Sequence, residues 1–162
     1  MSWEKEVEEL KRRQKLAETM GGPEKLKRQK DGGKLNVRER IAALLDKGSF
    51  REVGKLGGVG HYDAKGNLTG FVPANILFGR GRIEGRPIVV QADDFTVRGG
   101  AADASLHGKL IQSEKLANEY RLPLVRLIEG TGGGGSVKTL ETMGFTYVPE
   151  VPGWELMVDN LS

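Results

Sequence analysis

The segment RPIVVQADDFTVRGG, residues 86–100, carries most of the information about the architecture of this chain. Residues 88–90 are an uninterrupted apolar run, which is typical of a strand covered on both faces. Asp93 and Asp94 follow, and the segment ends in the Arg-Gly-Gly sequence of residues 98–100. A buried strand that runs into a glycine turn predicts a sheet edge where a ligand can approach the backbone.

The elements on either side of this segment predict a layered α/β fold. Upstream, residues 74–83 are strand-like, and Glu84-Gly85 predicts a tight hairpin into residues 86–92. Downstream, apolar residues at helical spacing predict a helix near 103–121, and a third buried strand follows at 124–128. The order hairpin, helix, strand is typical of α/β layers.

A second glycine run, residues 130–136, follows the third strand and is expected to open into a helix around 137–143. Both glycine segments therefore stand at strand-to-helix junctions, where backbone N–H groups gather and the helix dipole is positive. An α/β protein would hold an anion there. The apolar tail, residues 154–161, is predicted to be a helix.

The N-terminal part of the chain predicts helices. Residues 2–20 have a broken three-to-four spacing of apolar side chains, and Gly21-Gly22-Pro23 ends that helix. A second helix is predicted at 37–46, with Asn36 as its cap and Glu39 completing a capping box. We expect a helical arm over residues 1–50 and the α/β part over residues 51–162.

Composition excludes several classes of function. The chain has 162 residues, a net charge of +3 and no cysteine, which excludes disulfides, thiolate metal sites and a cysteine nucleophile. The basic excess lies in residues 1–40, where acidic residues are mixed in, so it predicts a solvated helical face and no nucleic-acid binding. We expect no metal site at His61 or His107, no membrane span and a cytoplasmic location.

Three interpretations of the second glycine run remain open on spacing alone. A phosphate-binding P-loop needs G-x-x-x-x-G-K-[ST]; Lys138-Thr139 are present, but Val137 stands where glycine is required. An oxyanion hole needs only successive backbone N–H groups and close approach of the ligand, which glycine permits. The third interpretation is a flexible loop without a ligand.

Four motifs in order resemble one enzyme family, the acyl-CoA carboxylase beta subunits of the propionyl-CoA and methylcrotonyl-CoA type. They are GKLNVRERI (33–41), LLDKGSF (44–50), GRIEGRP (81–87) and DFTVRGG (94–100). The resemblance runs from about residue 20 to 136, and the order and spacing of its motifs make it more specific than any single glycine motif.

The resemblance implies a crotonase-like fold and a carboxyltransferase that moves a carboxyl group from carboxybiotin to the α-carbon of an acyl-CoA. The reaction passes through an enolate, and backbone amides stabilise the oxyanion of that enolate. It also implies two sets of site residues. The catalytic oxyanion loop is Thr131, Gly132 and Gly133, and the residues beside the CoA are Arg98, Gly99, Gly100, Ala101 and Lys109.

Departures from the family pattern are few but specific. Gly134-Gly135 replace the usual Ala-Arg, Gly130 is an extra residue, and residues 141–162 match weakly. Family members are much longer and carry two related domains, with acyl-CoA on the first and biotin on the second. We therefore expect residues 51–162 to be a truncated first part of the N-terminal carboxyltransferase domain, inactive by itself.

The resemblance also implies partners. These are a biotin carboxylase and biotin carboxyl carrier subunit and, for the full-length form, further copies of itself. Two alternatives to the carboxyltransferase remain: a non-catalytic CoA-binding or assembly fragment, and a P-loop-like nucleotide-binding module.

Overall fold

The computed structural model describes residues 2–100, 107–129, 145–148 and 155–159, the last two ranges and His107 by their backbone. The helices within these residues are α1 (Glu4–Ala17), α2 (Pro23–Asp31), α3 (Val37–Leu44) and α4 (His107–Tyr120). The strands are β1 (Arg51–Val53), β2 (Gly58–Tyr62), β3 (Leu68–Pro73), β4 (Ile76–Ile83), β5 (Arg86–Asp93), β6 (Leu124–Ile128), β7 (Phe145–Val148) and β8 (Glu155–Asp159).

Six of these strands form one sheet, in the order β1-β4-β5-β6-β8-β7, while β2 and β3 form a separate hairpin. Strands β5 and β6 are parallel, with Val89 opposite Leu124, and the other neighbouring pairs are antiparallel. The α4 helix connects the two parallel strands. None of the helices described is both long and apolar enough to cross a membrane.

The central strand β5 is buried on both faces, as its uninterrupted apolar run predicts. Ile88, Val90 and Ala92 belong to one apolar cluster, which includes residues of α3. Val89 points to the other face and packs with residues of α4 and β6. Helices thus cover both faces of the sheet, and the predicted layered α/β arrangement is confirmed.

The turn between β4 and β5 and the start of α3 both have the local geometry that the sequence predicted. Glu84 and Gly85 both have positive φ, at 50° and 78°, as a two-residue primed turn between β4 and β5 requires. Asn36 caps α3 by accepting bonds from the backbone of residues 38 and 39, and the Glu39 carboxylate accepts from the backbone N–H of Asn36 at 2.9 Å. The hairpin and the capping box are both confirmed.

The helix predicted over residues 154–161 is wrong, because Glu155–Asp159 form β8. This strand pairs antiparallel with β6, Val158 lying opposite Val125. A short apolar run does not distinguish a strand from a buried helix, and here the unpaired edge of β6 supplies backbone hydrogen bonds that favour the strand. The helix predicted at 137–143 lies outside the described residues.

The N-terminal arm contains a further helix, α2, between the two helices that the sequence predicts at residues 2–20 and 37–46. The turn between α1 and α2 lies against the segment that follows β5. The Gly21 backbone N–H donates to Thr96 Oγ1 at 2.9 Å, and a Cβ on Gly21 would lie 1.9 Å from the Thr96 carbonyl oxygen. Only glycine allows this approach, which anchors the arm to the segment that follows the central strand β5.

We expect Gly21→Ala to destabilise the chain. Its methyl group would overlap the Thr96 backbone, and overpacking of this kind costs about 1–3 kcal/mol, occasionally more. Gly32→Ala is the matched control, because its Cβ would make ordinary contacts of 3.4 and 3.5 Å with helix carbonyls. Urea unfolding followed by circular dichroism measures both variants. Equal midpoints for the two variants would contradict the close approach.

Candidate functional site

The carboxyl ends of the two parallel strands lie side by side. Asp93 is the last residue of β5, and Glu129 directly follows β6. The backbone N–H of Glu129 donates to Asp93 Oδ2 at 3.3 Å, which joins the two strand ends. In the sequence, a glycine segment follows each of these strand ends, and the parallel pairing of β5 and β6 places the two strand ends side by side.

The Glu129 carboxylate is held by three side chains of the N-terminal arm. Its oxygens lie 3.1 Å from Arg40 Nη2 and 3.7 Å from Lys34 Nζ, and they accept bonds from Gln29 Nε2 at 3.2 and 3.3 Å. The Glu129 side chain is 16% exposed and that of Arg40 is 6% exposed. A carboxylate this buried requires such partners, because burial of an unpaired charge is costly.

Arg40 contacts both strand ends. Besides lying beside the Glu129 carboxylate, its Nη2 donates to the backbone carbonyl of Asp93. Arg40 sits on the inner face of α3 with Val37 and Ile41, both buried. The helical spacing of these three residues is a signal in the sequence that the prediction did not use. An arginine within a stripe of buried residues implies a buried partner for its charge.

Asp94 stabilises the turn that leads to the first glycine segment. Its Oδ1 accepts bonds from the Thr96 backbone N–H and hydroxyl, at 2.9 and 2.5 Å. Thr96 Oγ1 in turn accepts the bond from Gly21, so one chain of hydrogen bonds links the arm to the turn that directly follows β5. Burial raises the pKa of the Asp94 carboxyl, and the bonds from Thr96 oppose that rise.

Asp93 carries an unusually basic carboxyl for an aspartate. Burial raises its pKa to about 6, although the bond from the Glu129 backbone and the nearby charges of Arg40 and Arg126 act in the opposite direction. This group therefore gains or loses its proton at mildly acidic pH. It does so at the carboxyl end of β5, where the backbone of Glu129 also lies.

Arg98, Gly99 and Gly100 form a short turn, and all three residues have positive φ, at 55°, 67° and 67°. Glycine adopts this left-handed conformation readily, whereas it strains an arginine. The turn is closed by a bond from the Gly100 N–H to the Val97 carbonyl at 3.1 Å. The structure thus places these three predicted CoA-binding residues at the carboxyl end of β5, as one compact turn.

Lys109 lies elsewhere, on the first turn of α4 and against the connection between β1 and β2. A Cβ on Gly54 would lie 3.5 Å from the Lys109 side chain, and one on Gly57 would lie 3.4 Å from it. Burial lowers the pKa of the Lys109 ammonium, while Glu52 opposes that decrease. Glu52 is itself held by Arg38, at 2.9 and 3.3 Å.

The predicted oxyanion residues Thr131, Gly132 and Gly133 lie outside the described residues, as does Ala101. Their roles stay predictions. Within the ranges that are described, no group of three or more histidine and acidic side chains is arranged to hold a metal ion.

Comparison with known proteins matches residues 28–147 to the Carboxyl transferase domain family. The carboxyltransferase subunit of propionyl-CoA carboxylase from Haloferax mediterranei is 28% identical over 162 residues, covering 93% of this chain and 31% of that protein. The mitochondrial methylcrotonoyl-CoA carboxylase beta chain of Dictyostelium discoideum is 38% identical over 115 residues, or 70% and 19% of the two chains.

A solved structure of transcarboxylase 12S, a hexamer with methylmalonyl-coenzyme A and methylmalonic acid bound, superposes with a TM-score of 0.70 and 28% identity. The superposition covers 90% of this chain and 31% of that one. The predicted crotonase-like fold is confirmed by this similarity. The chain spans 19% to 31% of the length of these three proteins.

We expect Arg40→Met to destabilise the chain strongly, because it leaves the Glu129 carboxylate buried beside fewer cations. Breaking a buried ion pair costs about 3–5 kcal/mol. Adding Glu129→Gln should recover part of this loss, since the uncompensated charge then disappears. Denaturant unfolding of both single variants and the double variant gives the coupling energy.

The matched control for this cycle is Lys27→Met. Lys27 pairs with Asp31 on α2, but both side chains are more than 60% exposed, so its loss should cost less than about 1 kcal/mol. If Arg40→Met were no more destabilising than Lys27→Met, the buried pair would not hold the two strand ends together.

The raised pKa of Asp93 predicts a specific dependence of stability on pH. The folded protein binds this proton more tightly than the unfolded chain, whose aspartates titrate near 3.8. The free energy of unfolding therefore falls as pH rises from about 4 to about 6, and the loss persists above pH 6. Relative to wild type, Asp93→Asn should gain about 1–3 kcal/mol of stability between pH 4 and 7.

Asp63→Asn provides a control of opposite sign for this experiment. Hydrogen bonds from Asn67 lower the pKa of the Asp63 carboxyl, so its contribution is lost as pH falls. Urea unfolding of both variants at four pH values measures the two differences. A constant difference between Asp93→Asn and wild type would contradict the raised pKa.

Proposed function

This chain belongs to the carboxyl transferase domain family, and from that premise we propose that it forms the acyl-CoA-binding portion of a biotin-dependent carboxyltransferase. The observation that supports the proposal is that the ends of β5 and β6, after each of which the sequence continues into a glycine segment, lie side by side. One segment is the turn at Arg98–Gly100, and the other begins directly after Glu129. In an α/β sheet, ligands bind outside the carboxyl ends of the strands.

The proposed reaction needs hydrogen-bond donors that stabilise the negative charge developing on the thioester oxygen. Removal of the α-proton of an acyl-CoA thioester forms an enolate, whose carbanion then attacks CO2 to make the new carbon–carbon bond. Carboxybiotin, when delivered by a partner, would supply the CO2 together with a ring nitrogen able to take up the α-proton. The enolate oxygen must meanwhile be stabilised, and backbone amides of Gly132 and Gly133 are proposed to donate to it.

The buried pair of Arg40 and Glu129 is proposed to fix where the oxyanion loop starts. Glu129 is the last residue before that loop, and its carboxylate and backbone N–H are both held, by Arg40 and by Asp93. Preorganised donors stabilise a transition state best because they need not reorient during the reaction. Arg40 and Glu129 would therefore be positioning residues that never touch the substrate.

The turn at Arg98–Gly100 is proposed to lie along the CoA. Its two glycines present backbone without side chains, which allows close approach of a thioester or pantetheine chain. Ala101 continues this segment. Lys109, which lies beside Gly54 and Gly57 on the first turn of α4, is also proposed to bind the CoA.

Catalysis is proposed to need more than this chain, since the biotin site is not assigned to its residues. A biotin carboxylase and biotin carboxyl carrier subunit would deliver the carboxyl group, and further copies of the chain's own protein would complete the assembly. The comparisons favour neither the non-catalytic CoA-binding fragment nor the P-loop-like module. We propose a cytoplasmic enzyme.

We expect Gly133→Val in the assembled carboxyltransferase to lower kcat by about 10²–10³-fold, the loss caused by removing one oxyanion-hole donor. A β-branched side chain restricts φ and would misplace the amides. Acyl-CoA affinity should change much less, because the donors act mainly in the transition state. Transfer of labelled carboxylate from carboxybiotin to acyl-CoA measures kcat.

The exposed residue His61 provides the control for this assay, and His61→Ala should leave kcat within about threefold. A Gly133→Val enzyme with normal kcat would overturn the oxyanion-loop assignment. Titration calorimetry with acyl-CoA and with Mg-ATP tests the function itself. Tight Mg-ATP binding without CoA binding would support the P-loop-like module instead.

A further inference from the structure

A polar pocket of about 600 Å³ lies beside the hairpin that joins β4 and β5, at the opposite end of β5 from the candidate site. Strand β5 has eight residues, so roughly 20 Å of sheet separate the two ends. The pocket's volume falls within the range of roughly 300–1,000 Å³ that is usual for small-molecule sites. We call it the hairpin pocket. Its charged and hydroxyl-bearing lining residues are Asp46, Lys47, Ser49, Arg51, Arg80 and Arg82.

Four of these lining residues are cations, and the three arginines stand on one face of the sheet. Arg51 of β1 lies directly opposite Arg80 of β4, and Arg82 is two residues further along β4. Like charges at directly opposed positions destabilise a sheet. None of the four cations forms an ion pair with a carboxylate in the part of the chain that the structure describes. This concentration of positive charge favours a multivalent anion as ligand.

The carboxylate of Asp46 also lines the hairpin pocket, but it already has partners. Its two oxygens accept bonds from the backbone N–H groups of Glu84 and Gly85, at 2.9 and 2.8 Å. The described lining therefore carries four positive charges against one negative charge, a net charge of +3. Asp46 holds the turn between β4 and β5 and leaves most of the positive charge of the pocket to a ligand.

Two of the arginines are held in place by contacts that do not neutralise them. Arg51 Nη1 donates to the backbone carbonyls of Gly48 and Phe50 at 2.8 and 3.0 Å, and these bonds use neither Nε nor Nη2. The Arg80 Cζ lies 4.7 Å from the centre of the Tyr120 ring, a contact that orients the guanidinium and keeps its charge. A guanidinium that is positioned in advance loses less conformational freedom when it binds an anion.

A hydroxyl group completes the hairpin pocket. Ser49 Oγ accepts a bond from the backbone N–H of Arg82 at 3.0 Å, and the hydroxyl hydrogen can still be donated. Arginine forks and hydroxyl donors are the groups that bind phosphoryl oxygens. Carboxylates also pair with arginine, but linked phosphates place several negative charges within a single pocket. The net charge of the lining therefore favours linked phosphates.

We propose that the hairpin pocket binds a chain of linked phosphoryl groups, as in a diphosphate or triphosphate. The phosphoryl oxygens take Arg51, Arg80 and Arg82 as hydrogen-bonding partners, and Lys47 is a further counterion. This site goes beyond the proposed reaction, because it lies at the far end of β5 and no group of the acyl-CoA or carboxybiotin is assigned to it. A bound phosphate chain also relieves the repulsion between Arg51 and Arg80.

The test uses the full chain, titrated calorimetrically with inorganic triphosphate in the absence of divalent metal ions. Wild type should bind triphosphate at least about tenfold more tightly than inorganic phosphate, because linked phosphates reach several arginines at once. Arg51→Gln and Arg82→Gln should each weaken triphosphate binding about fivefold or more, since each removes charge-assisted hydrogen bonds. The affinity should also fall as salt concentration rises.

Arg86→Gln is the matched control, with the same charge change on the same hairpin, and should alter the affinity less than about twofold. Arg86 is exposed and is not among the described residues that line the pocket. Thermal unfolding of each variant is then measured with and without triphosphate. Triphosphate should raise the melting temperature of wild type and of Arg86→Gln, and should raise it less in the two pocket variants.

Three results would overturn the proposal. The first is a failure of wild type to bind triphosphate at low ionic strength. The second is equal weakening by Arg86→Gln and Arg82→Gln, because binding would then reflect the general charge of the surface. The third is tighter binding of a hexaglutamate peptide than of triphosphate, which would assign the pocket to an acidic segment of another protein. None of these probes is a substrate of the proposed reaction, so each outcome leaves the proposed function unchanged.

Discussion

The contact between Arg40 and the Glu129 carboxylate is the constraint on which the rest of the site depends. Both groups are largely removed from water, and neither would be stable there without its partner. The same guanidinium donates to the carbonyl of Asp93, so one side chain of α3 joins the ends of β5 and β6. The separation of these two strand ends is therefore set by a helix that is distant from both of them in sequence.

The helical arm is structurally part of the candidate site. Gln29, Lys34 and Arg40 all reach the Glu129 carboxylate, and Gly21 bonds to Thr96. These contacts cross the boundary that composition predicts at residue 50. The arm's excess of lysine and arginine, interpreted from the sequence as a solvated face, also supplies the cations that lie beside the buried Glu129 carboxylate.

Elements whose signals are local could be predicted from the sequence. The hairpin at Glu84-Gly85 and the capping box at Asn36 depend on residues within a few positions of each other. The uninterrupted apolar run of β5 likewise predicts a buried strand without information from the rest of the chain. Strand β8 could not be assigned, because its state is decided by pairing with β6, about thirty residues earlier. Helix α2 was missed because it has few apolar residues, although Pro23 at its first turn is a valid start signal.

The network that ends on Glu129 has a consequence for the order in which the chain acquires structure. Gln29 and Glu129 are separated by 100 positions, and Gly21 and Thr96 by 75. Contacts this distant form slowly, since the intervening chain must first be ordered. During synthesis, the arm emerges long before its carboxylate partner exists. We therefore expect docking of the arm to be a late step, so that the carboxyl ends of β5 and β6 acquire their final arrangement only after β6 has joined β5.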